Sequence, residues 1–305
     1  MGMNRKKLGF IAGLSAWMLC GCASAAQNAP TKDETEQTSE TQDGLSIACT
    51  STAICQILDA LGYDNVIGVP ETSGALPERY QDAKSIGGAM NPDLELIKSI
   101  QPDLVLSPQT LENSLGESYQ AAGITSAFLD LSSVEGMYLA IESLGELLGC
   151  EEAAKTLTDE YETTIEQYRA HVNEEQDILL LMAFPDGFYL IATENSYVGN
   201  LVKLAGGANV YGSDYKGDEN GFVNINPEDM VQKDPDRIMV FAHYAEEEAF
   251  AYMEKEFAEN RTWQYYEAVK EGNITYLPSK YFGMSANLDW TDALDYLAPV
   301  FQEAE

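Results

Sequence analysis

One helix-turn-strand unit is written twice in this chain. Residues 91–106 read Asn-Pro-Asp-Leu-Glu-Leu-Ile-Lys-Ser-Ile-Gln-Pro-Asp-Leu-Val-Leu, and residues 225–240 read Ile-Asn-Pro-Glu-Asp-Met-Val-Gln-Lys-Asp-Pro-Asp-Arg-Ile-Met-Val. In each, a glutamate (Glu95, Glu228) stands seven residues before a Pro-Asp that opens an apolar run. A unit repeated once in each half predicts two similar α/β lobes.

The alternation around the units supports this. Apolar strands are expected at 46–49, 66–69, 104–106 and 126–129, with helices at 52–61, 92–100 and 115–122 between them. Pro92 is expected early in its helix. Two amphipathic helices follow, at 134–148 and 151–172; the second, ~22 residues and roughly 33 Å long, is read as the link between lobes. In the second half, strands are expected at 178–182, 238–241 and 274–277. Helices are expected at 198–204, 227–231, 245–257, 262–270 and 290–302. The fold class is thus α/β, with two mainly parallel sheets flanked by helices and joined by one long helix. The domains read as 46–150, a linking helix at 151–173, and 174–305.

The N-terminus reads as a targeting segment. Arg5, Lys6 and Lys7 precede an apolar stretch, Leu8 to Leu19, that is too short to span a bilayer. It ends Leu19-Cys20-Gly21-Cys22, which resembles a bacterial lipobox. Residues 1–21 are expected to be removed and Cys22 to carry lipid. Residues 22–45 lack large apolar side chains almost entirely, as a disordered tether does. The expected location is the outer face of the cell membrane of a Gram-positive bacterium.

The formal charge of −33 argues against nucleic acid as a partner. It also opposes long-range capture of anions. Beyond Cys20 and Cys22 stand Cys49, Cys55 and Cys150, an odd number, so at least one thiol stays unpaired. Cys49 and Cys55 flank a strand-to-helix turn and could be close; small buried or half-buried thiols are the commoner reading, and the sequence leaves their pairing open.

Each repeated unit has an unusual neighbour. Met90 precedes the first, and His243 follows the second in Phe-Ala-His-Tyr. A thioether on one lobe and an imidazole on the other, facing across a cleft, could hold haem iron. Alone, such a methionine is more often packing and such a histidine surface or core. His171, beside Arg169 in the linking helix, reads as solvated or capping. The helix start at Thr50-Ser51-Thr52-Ala53 offers free N–H groups and hydroxyls, a ready anion site.

These residues also carry a likeness. Gly68-Val-Pro, Leu76-Pro-Glu-Arg-Tyr80, Gly87-Gly-Ala-Met-Asn-Pro-Asp-Leu-Glu95, the run Ala192 to Gly212, and Phe282-Gly-Met-Ser-Ala-Asn287 resemble the bilobal substrate-binding lipoproteins of ABC importers. Within them the chain is most similar to the IsdE-like haem receptors, over residues 46–303. The resemblance implies haem as the transported ligand, with Met90 and His243 as its axial pair. It implies propionate contacts at Thr50, Ser51, Thr52 and Ala53 and at the loop Thr72-Ser73-Gly74. Ser73 and Gly74 depart from the family pattern there, so hydroxyl or backbone bonds are expected to substitute. Lys280 and Tyr281 are further pocket candidates. Glu95 and Glu228 would dock on an ABC permease that works with its ATPase, with the receptor as a monomer held to the membrane by lipid only. A cobalamin or ferric-siderophore receptor of the same fold is the alternative; a host-haemoprotein-binding adhesin is one of another class. Enzymatic function is not expected, since neither a Gly-x-Ser-x-Gly elbow nor a His-Glu-x-x-His helix appears.

Overall fold

A computed structural model describes residues 44–301, apart from residues 73, 170–175, 216, 219 and 225–231. The expectations for residues 1–43, Ser73, His171, Glu228 and the second unit's helix lie outside the described residues.

The first lobe is built on a five-stranded parallel sheet. Its strands are β1 (Ile47–Cys49), β2 (Val66–Val69), β3 (Lys84–Ser85), β6 (Leu104–Pro108) and β7 (Ser126–Leu129), in the order β3-β2-β1-β6-β7. A small antiparallel pair, β4 (Gly87–Gly88) and β5 (Asn91–Pro92), stands off this sheet. The helices are α1 (Thr52–Ala60), α2 (Leu94–Ile100) and α3 (Glu112–Ala122), followed by α4 (Val134–Leu148) and α5 (Glu151–Arg169). The second lobe has β8 (Gln176–Ala183), β9 (Tyr189–Ala192), α6 (Tyr197–Ala205), β10 (Gly207–Asn209), β11 (Phe222–Val223) and β12 (Arg237–Ala242). It continues with α7 (Glu246–Glu259), α8 (Glu267–Glu271), β13 (Ile274–Leu277) and α9 (Trp290–Phe301). Here β12 runs parallel to β8 and β13, while β9 is antiparallel to β8 and β11.

Both sheets are buried on both faces, and the period of two along each strand sorts the side chains. Ile47, Cys49, Leu104 and Leu106 face one core, while Ala48 and Val105 face another with Ile97 and Tyr119. In the second lobe Ile178, Leu180, Met182, Met239 and Phe241 face one way, and Leu179, Leu181, Ile238 and Val240 the other. The first set from each lobe belongs to one continuous apolar cluster that also contains Met137, Ile141, Ile165, Leu201, Trp290 and Leu297.

Helices α4 and α5 run through that shared core. The close pair Gly145 and Ala154 lets them meet, since a Cβ at Gly145 would lie 2.5 Å from the Ala154 methyl. Further along, Tyr138 stacks on Tyr161 with ring centroids 4.3 Å apart, and Trp290 of the second lobe meets both edge-on. Trp290 Nε1 donates to the Tyr138 hydroxyl at 3.1 Å. The first N–H of α4, at Val134, donates to the Asn200 side chain of α6 at 3.0 Å. Orphan helix-end donors need such partners when buried.

Two expectations are corrected. Pro92 does not open α2; it pairs with Gly87 in the small antiparallel pair, and the Asp93 carboxylate caps the helix by accepting from Glu95 N and Leu96 N. The helix expected over 262–270 is broken into a 3-10 turn (Trp263–Tyr265) and α8. Buried Tyr266 holds an extended backbone, φ −73° and ψ 132°, between them. Strands β9 to β11 were not expected: β10 and β11 are only three and two residues long, and β9, Tyr-Leu-Ile-Ala, is as apolar as β2 and was overlooked. Among the described residues no helix is long and apolar enough to cross a membrane.

Trp290 is 2% exposed. Trp290→Ala is expected to cost about 3–5 kcal/mol through the cavity it leaves. Trp290→Phe, which keeps packing but drops the donor to Tyr138, is expected to cost about 1 kcal/mol beyond the lost ring area. Urea unfolding followed by circular dichroism measures both, and a Trp290→Phe loss no larger than the missing ring area accounts for would contradict the bond between Trp290 and Tyr138.

Candidate functional site

Parallel strands present helix N-termini and loops at their carboxyl ends, where open α/β sheets bind ligands. The expected site residues of both lobes gather at such ends. In the first lobe, β1 runs into the Thr50–Ala53 turn and β2 into Thr72, and β3 leads to the pair carrying Met90. In the second, β12 ends one residue before His243 and β13 three before Lys280. Between the lobes, Ala286 N donates to Leu131 O at 2.8 Å, tying the connection after β13 to the one after β7.

Met90 sits at the tip of a hairpin. Gly87 pairs with Pro92 and Gly88 with Asn91, leaving Ala89 and Met90 as the two-residue loop. Gly87 has φ +91°, and a Cβ there would lie 3.0 Å from Asp93 N, so the turn into α2 needs glycine. The Met90 side chain is 64% exposed. It fills no core gap, the usual reason for a methionine.

His243 is presented differently. Its backbone N–H extends the β8–β12 ladder by donating to Ala183 O at 3.2 Å. Ala245, two residues on, takes a left-handed conformation (φ 47°, ψ 60°) that turns the chain sharply into α7. For a residue with a Cβ that costs about 1–2 kcal/mol. His243 and Tyr244 are thereby left at the surface. The imidazole lies against aromatic rings, with centroids 5.4 Å from Phe184 and 5.5 Å from Tyr244. Phe188 packs on Phe184 at 5.5 Å. Phe188 and Tyr244 are 44% and 53% exposed, so this cluster is an open apolar surface around one nitrogen heterocycle. Loss of water on the packed side of the ring pushes the His243 pKa below its ordinary value. The neutral ring, the form that ligates metals, is favoured.

Phe184, Phe188 and Tyr244 were not foreseen. For two of them a signal was available: Phe-Pro-Asp-Gly-Phe at 184–188 follows the six-residue apolar run that ends β8, so Phe184 and Phe188 lie on a turn, outside the sheet.

The expected anion turn has one inward and several outward members. Thr50 is fully buried, and its hydroxyl lies 3.4 Å from Leu106 O and 3.0 Å from Ser107 Oγ. It supports the turn from beneath and does not face a ligand. Ser51 caps α1 by accepting from Ile54 N at 3.3 Å. The N–H groups of Thr52 and Ala53 precede the helical ladder and belong to its positive end. Thr52 Oγ1 lies 3.3 Å from Thr72 Oγ1, which accepts from Gly74 N at 3.0 Å. The structure thus brings Thr72 to the α1 turn through paired hydroxyls.

Lys280 and Tyr281 are held toward the other lobe's site. Ser279 N donates to the Glu246 carboxylate, pinning their turn to the start of α7, three residues past His243. Lys280 Nζ donates to the Tyr281 hydroxyl at 3.0 Å and lies over its ring, 4.6 Å from the centroid. That hydrogen bond raises the lysine pKa, so the ammonium stays charged. Glu95 is on the second residue of α2, exposed, and paired with Lys98 at 2.6 Å. A polar recess of about 200 Å³ opens at the ends of β6 and β7, but it is lined by Glu112 and Asp130 and so repels anions.

This arrangement is that of a ligand-carrying protein. The periplasmic binding protein family matches residues 47–281, and the chain belongs to it. Among its relatives, the high-affinity heme uptake system protein IsdE of Staphylococcus aureus (strain MRSA252) is 32% identical over 291 residues, 94% of each chain. The solved structure of S. aureus IsdE complexed with heme covers 85% of this chain and 99% of that one, at TM-score 0.77 and 32% identity. An ABC transporter substrate-binding protein from Listeria monocytogenes EGD-e covers 85% and 98%, at TM-score 0.78 and 35% identity.

His243 is expected to titrate below about 6.5, the ordinary imidazole value. The sign follows from burial: the unfolded chain takes up the proton first, so this ring's contribution to stability is present above that pH and declines as pH falls. Side-chain NMR on the ligand-free protein measures it, with His243→Ala assigning the resonance against the other histidine, His171. A titration at or above the ordinary value would contradict the packed ring.

Proposed function

We propose that this chain is a cell-surface haem receptor that passes haem to an ABC permease. The carrying observation is that an exposed thioether stands past one sheet's carboxyl edge and a neutral-favoured imidazole, set in exposed aromatics, past the other's, and this reading takes the two as a pair. A porphyrin needs a wide apolar contact for its face and two axial donors for its iron. Phe184, Phe188 and Tyr244 supply apolar surface beside His243, and Met90 offers the second donor. Thioether and imidazole together leave no open coordination position for oxygen chemistry, as suits a carrier. The likeness to a heme uptake protein over nearly the whole chain supports the same reading.

The propionates find donors of two kinds. The Thr52 and Ala53 N–H groups, with the Thr52 and Thr72 hydroxyls, form one neutral set. The Lys280 ammonium adds a positive charge on the other lobe. This local supply matters because the chain carries −33 overall. Short-range contacts of this kind act inside the Debye length, about 8 Å at physiological salt, where the distant carboxylates are screened.

Delivery rests on the lobes' outer faces and the N-terminus. Glu95 projects from α2 as a docking contact, and Glu228 occupies the matching place in the second repeat of the sequence. Lipid on Cys22 would keep the receptor at the outer face of the membrane, within reach of the permease.

Haemin titration of the purified protein, followed by absorption, tests the reading. A saturable one-to-one shift to a six-coordinate low-spin spectrum is expected. His243→Ala should remove most tight binding, and Met90→Ala should weaken it less, because the neutral imidazole is the stronger ligand. Acid release is expected below the ordinary imidazole pKa, since both burial and iron hold the ring neutral. No saturable shift would overturn the haem reading and favour cobalamin or ferric siderophores; a wild-type spectrum in both variants would overturn the ligand pair.

A further inference from the structure

Cys49 is the last residue of β1, and Cys55 lies one turn into α1. Both side chains are fully buried in the shared core. Strand direction sends Cys49 to the face that α1 covers, and helix periodicity points Cys55 down onto the sheet with Ile54 and Leu58. Their sulfurs are 2.8 Å apart. Carbons in ordinary non-bonded contact keep about 3.5–4.0 Å, and a bonded sulfur pair about 2.05 Å. The two thiols stand within about 0.8 Å of bonding distance.

A metal clamp does not suit the same spacing. Two thiolates on a tetrahedral zinc sit about 3.8 Å apart, given bonds of about 2.3 Å. Among the described residues no group of three or more His, Cys, Asp or Glu side chains could hold a metal ion. The third cysteine among the described residues, Cys150, lies in the α4–α5 connection, and its Sγ is 3.7 Å from Leu148 O.

We propose that Cys49 and Cys55 form a disulfide that locks the α1 turn to the first-lobe sheet. The bond spans the turn Thr50-Ser51-Thr52-Ala53, so it fixes the outward N–H groups relative to β1. The oxidant is a small-molecule disulfide or an exported thiol–disulfide exchange protein. One cysteine thiolate attacks it, forming a mixed disulfide and releasing one thiol. The second cysteine then attacks the first cysteine's sulfur and releases the other thiol. Two protein thiols lose two electrons and two protons, which the oxidant's two sulfurs take up. Burial raises the Cys49 thiol pKa in the folded state, so exchange proceeds before the core closes and is slow afterwards.

The test has two arms, neither of which needs haem. The full chain, exported by its own N-terminus, is alkylated under denaturing conditions without reductant and mapped by mass spectrometry. Label on Cys150 but not on Cys49 or Cys55 is expected, with both labelled after reduction. In the second arm, reduced and denatured protein refolds in a mixture of reduced and oxidised glutathione. Closure there with open thiols in the exported protein would overturn the bond in the cell and place the fault with export. Thiols open in both arms would overturn the pair itself. Closing a loop this short is expected to raise the thermal midpoint by about 5 °C. Reduced wild type and Cys55→Ser should both lack that increment, and Cys150→Ser should keep it. Equal midpoints for oxidised and reduced wild type would overturn the lock, whether or not Cys55→Ser folds.

Discussion

The two lobes share one core. The inward faces of β1 and β6 and those of β8 and β12 belong to a single apolar cluster, filled by α4, α5, α6 and α9. The rings of Tyr138, Tyr161 and Trp290 stand in it, and a buried hydrogen bond joins two of them. Strands β1, β2, β12 and β13, which lead into site elements, are anchored in this core. Closely packed interiors resist rearrangement, so a core shared in this way couples the two sheets.

On that frame, the chemistry is placed by turns. Two ideas of presentation are at work at the edges of the sheets. The β4–β5 hairpin lifts a flexible thioether into solvent without packing it. The left-handed Ala245 stops β12 short and leaves His243 among rings that keep it neutral. One sheet thus ends in an exposed thioether and the other in a half-packed imidazole. The buried Thr50 and the Cys49–Cys55 contact serve the third element, the α1 turn, from below.

The family's most specific run, residues 192–212, turned out to be scaffold. Thr193 and Ser196 cap and fold the entry to α6: Thr193 Oγ1 donates to Gly221 O at 2.9 Å, and Gly199 N donates to Ser196 Oγ at 3.0 Å. Asn209 Nδ2 returns to Ala192 O at 2.9 Å. Asn200, in the middle, reaches across to the first turn of α4. A run that closes its own turn and joins two lobes tolerates few alternatives at each position, which makes it recognisable.

The strands and helices with strong periods were legible in the chain: β2, β7, β13 and α4 occupy the residues expected of them. Their apolar pattern and their serine and glycine ends are local properties, decided within about a turn of chain. Met90 and His243 were legible as oddities at the edges of a repeated unit. Local chemistry misread Pro92, because its strand pairing with Gly87 competes with its helix-starting geometry. It also missed the break at Tyr266, which follows from burial of a ring against Trp263, 5.5 Å between centroids. The aromatic setting of His243 and the inward turn of Thr50 were decided by tertiary structure alone, and tertiary structure settled the contact of Cys49 and Cys55 that the sequence had left open. Each depends on which face of a strand or helix is covered, and on what covers it, a long-range outcome of packing that a local pattern does not contain.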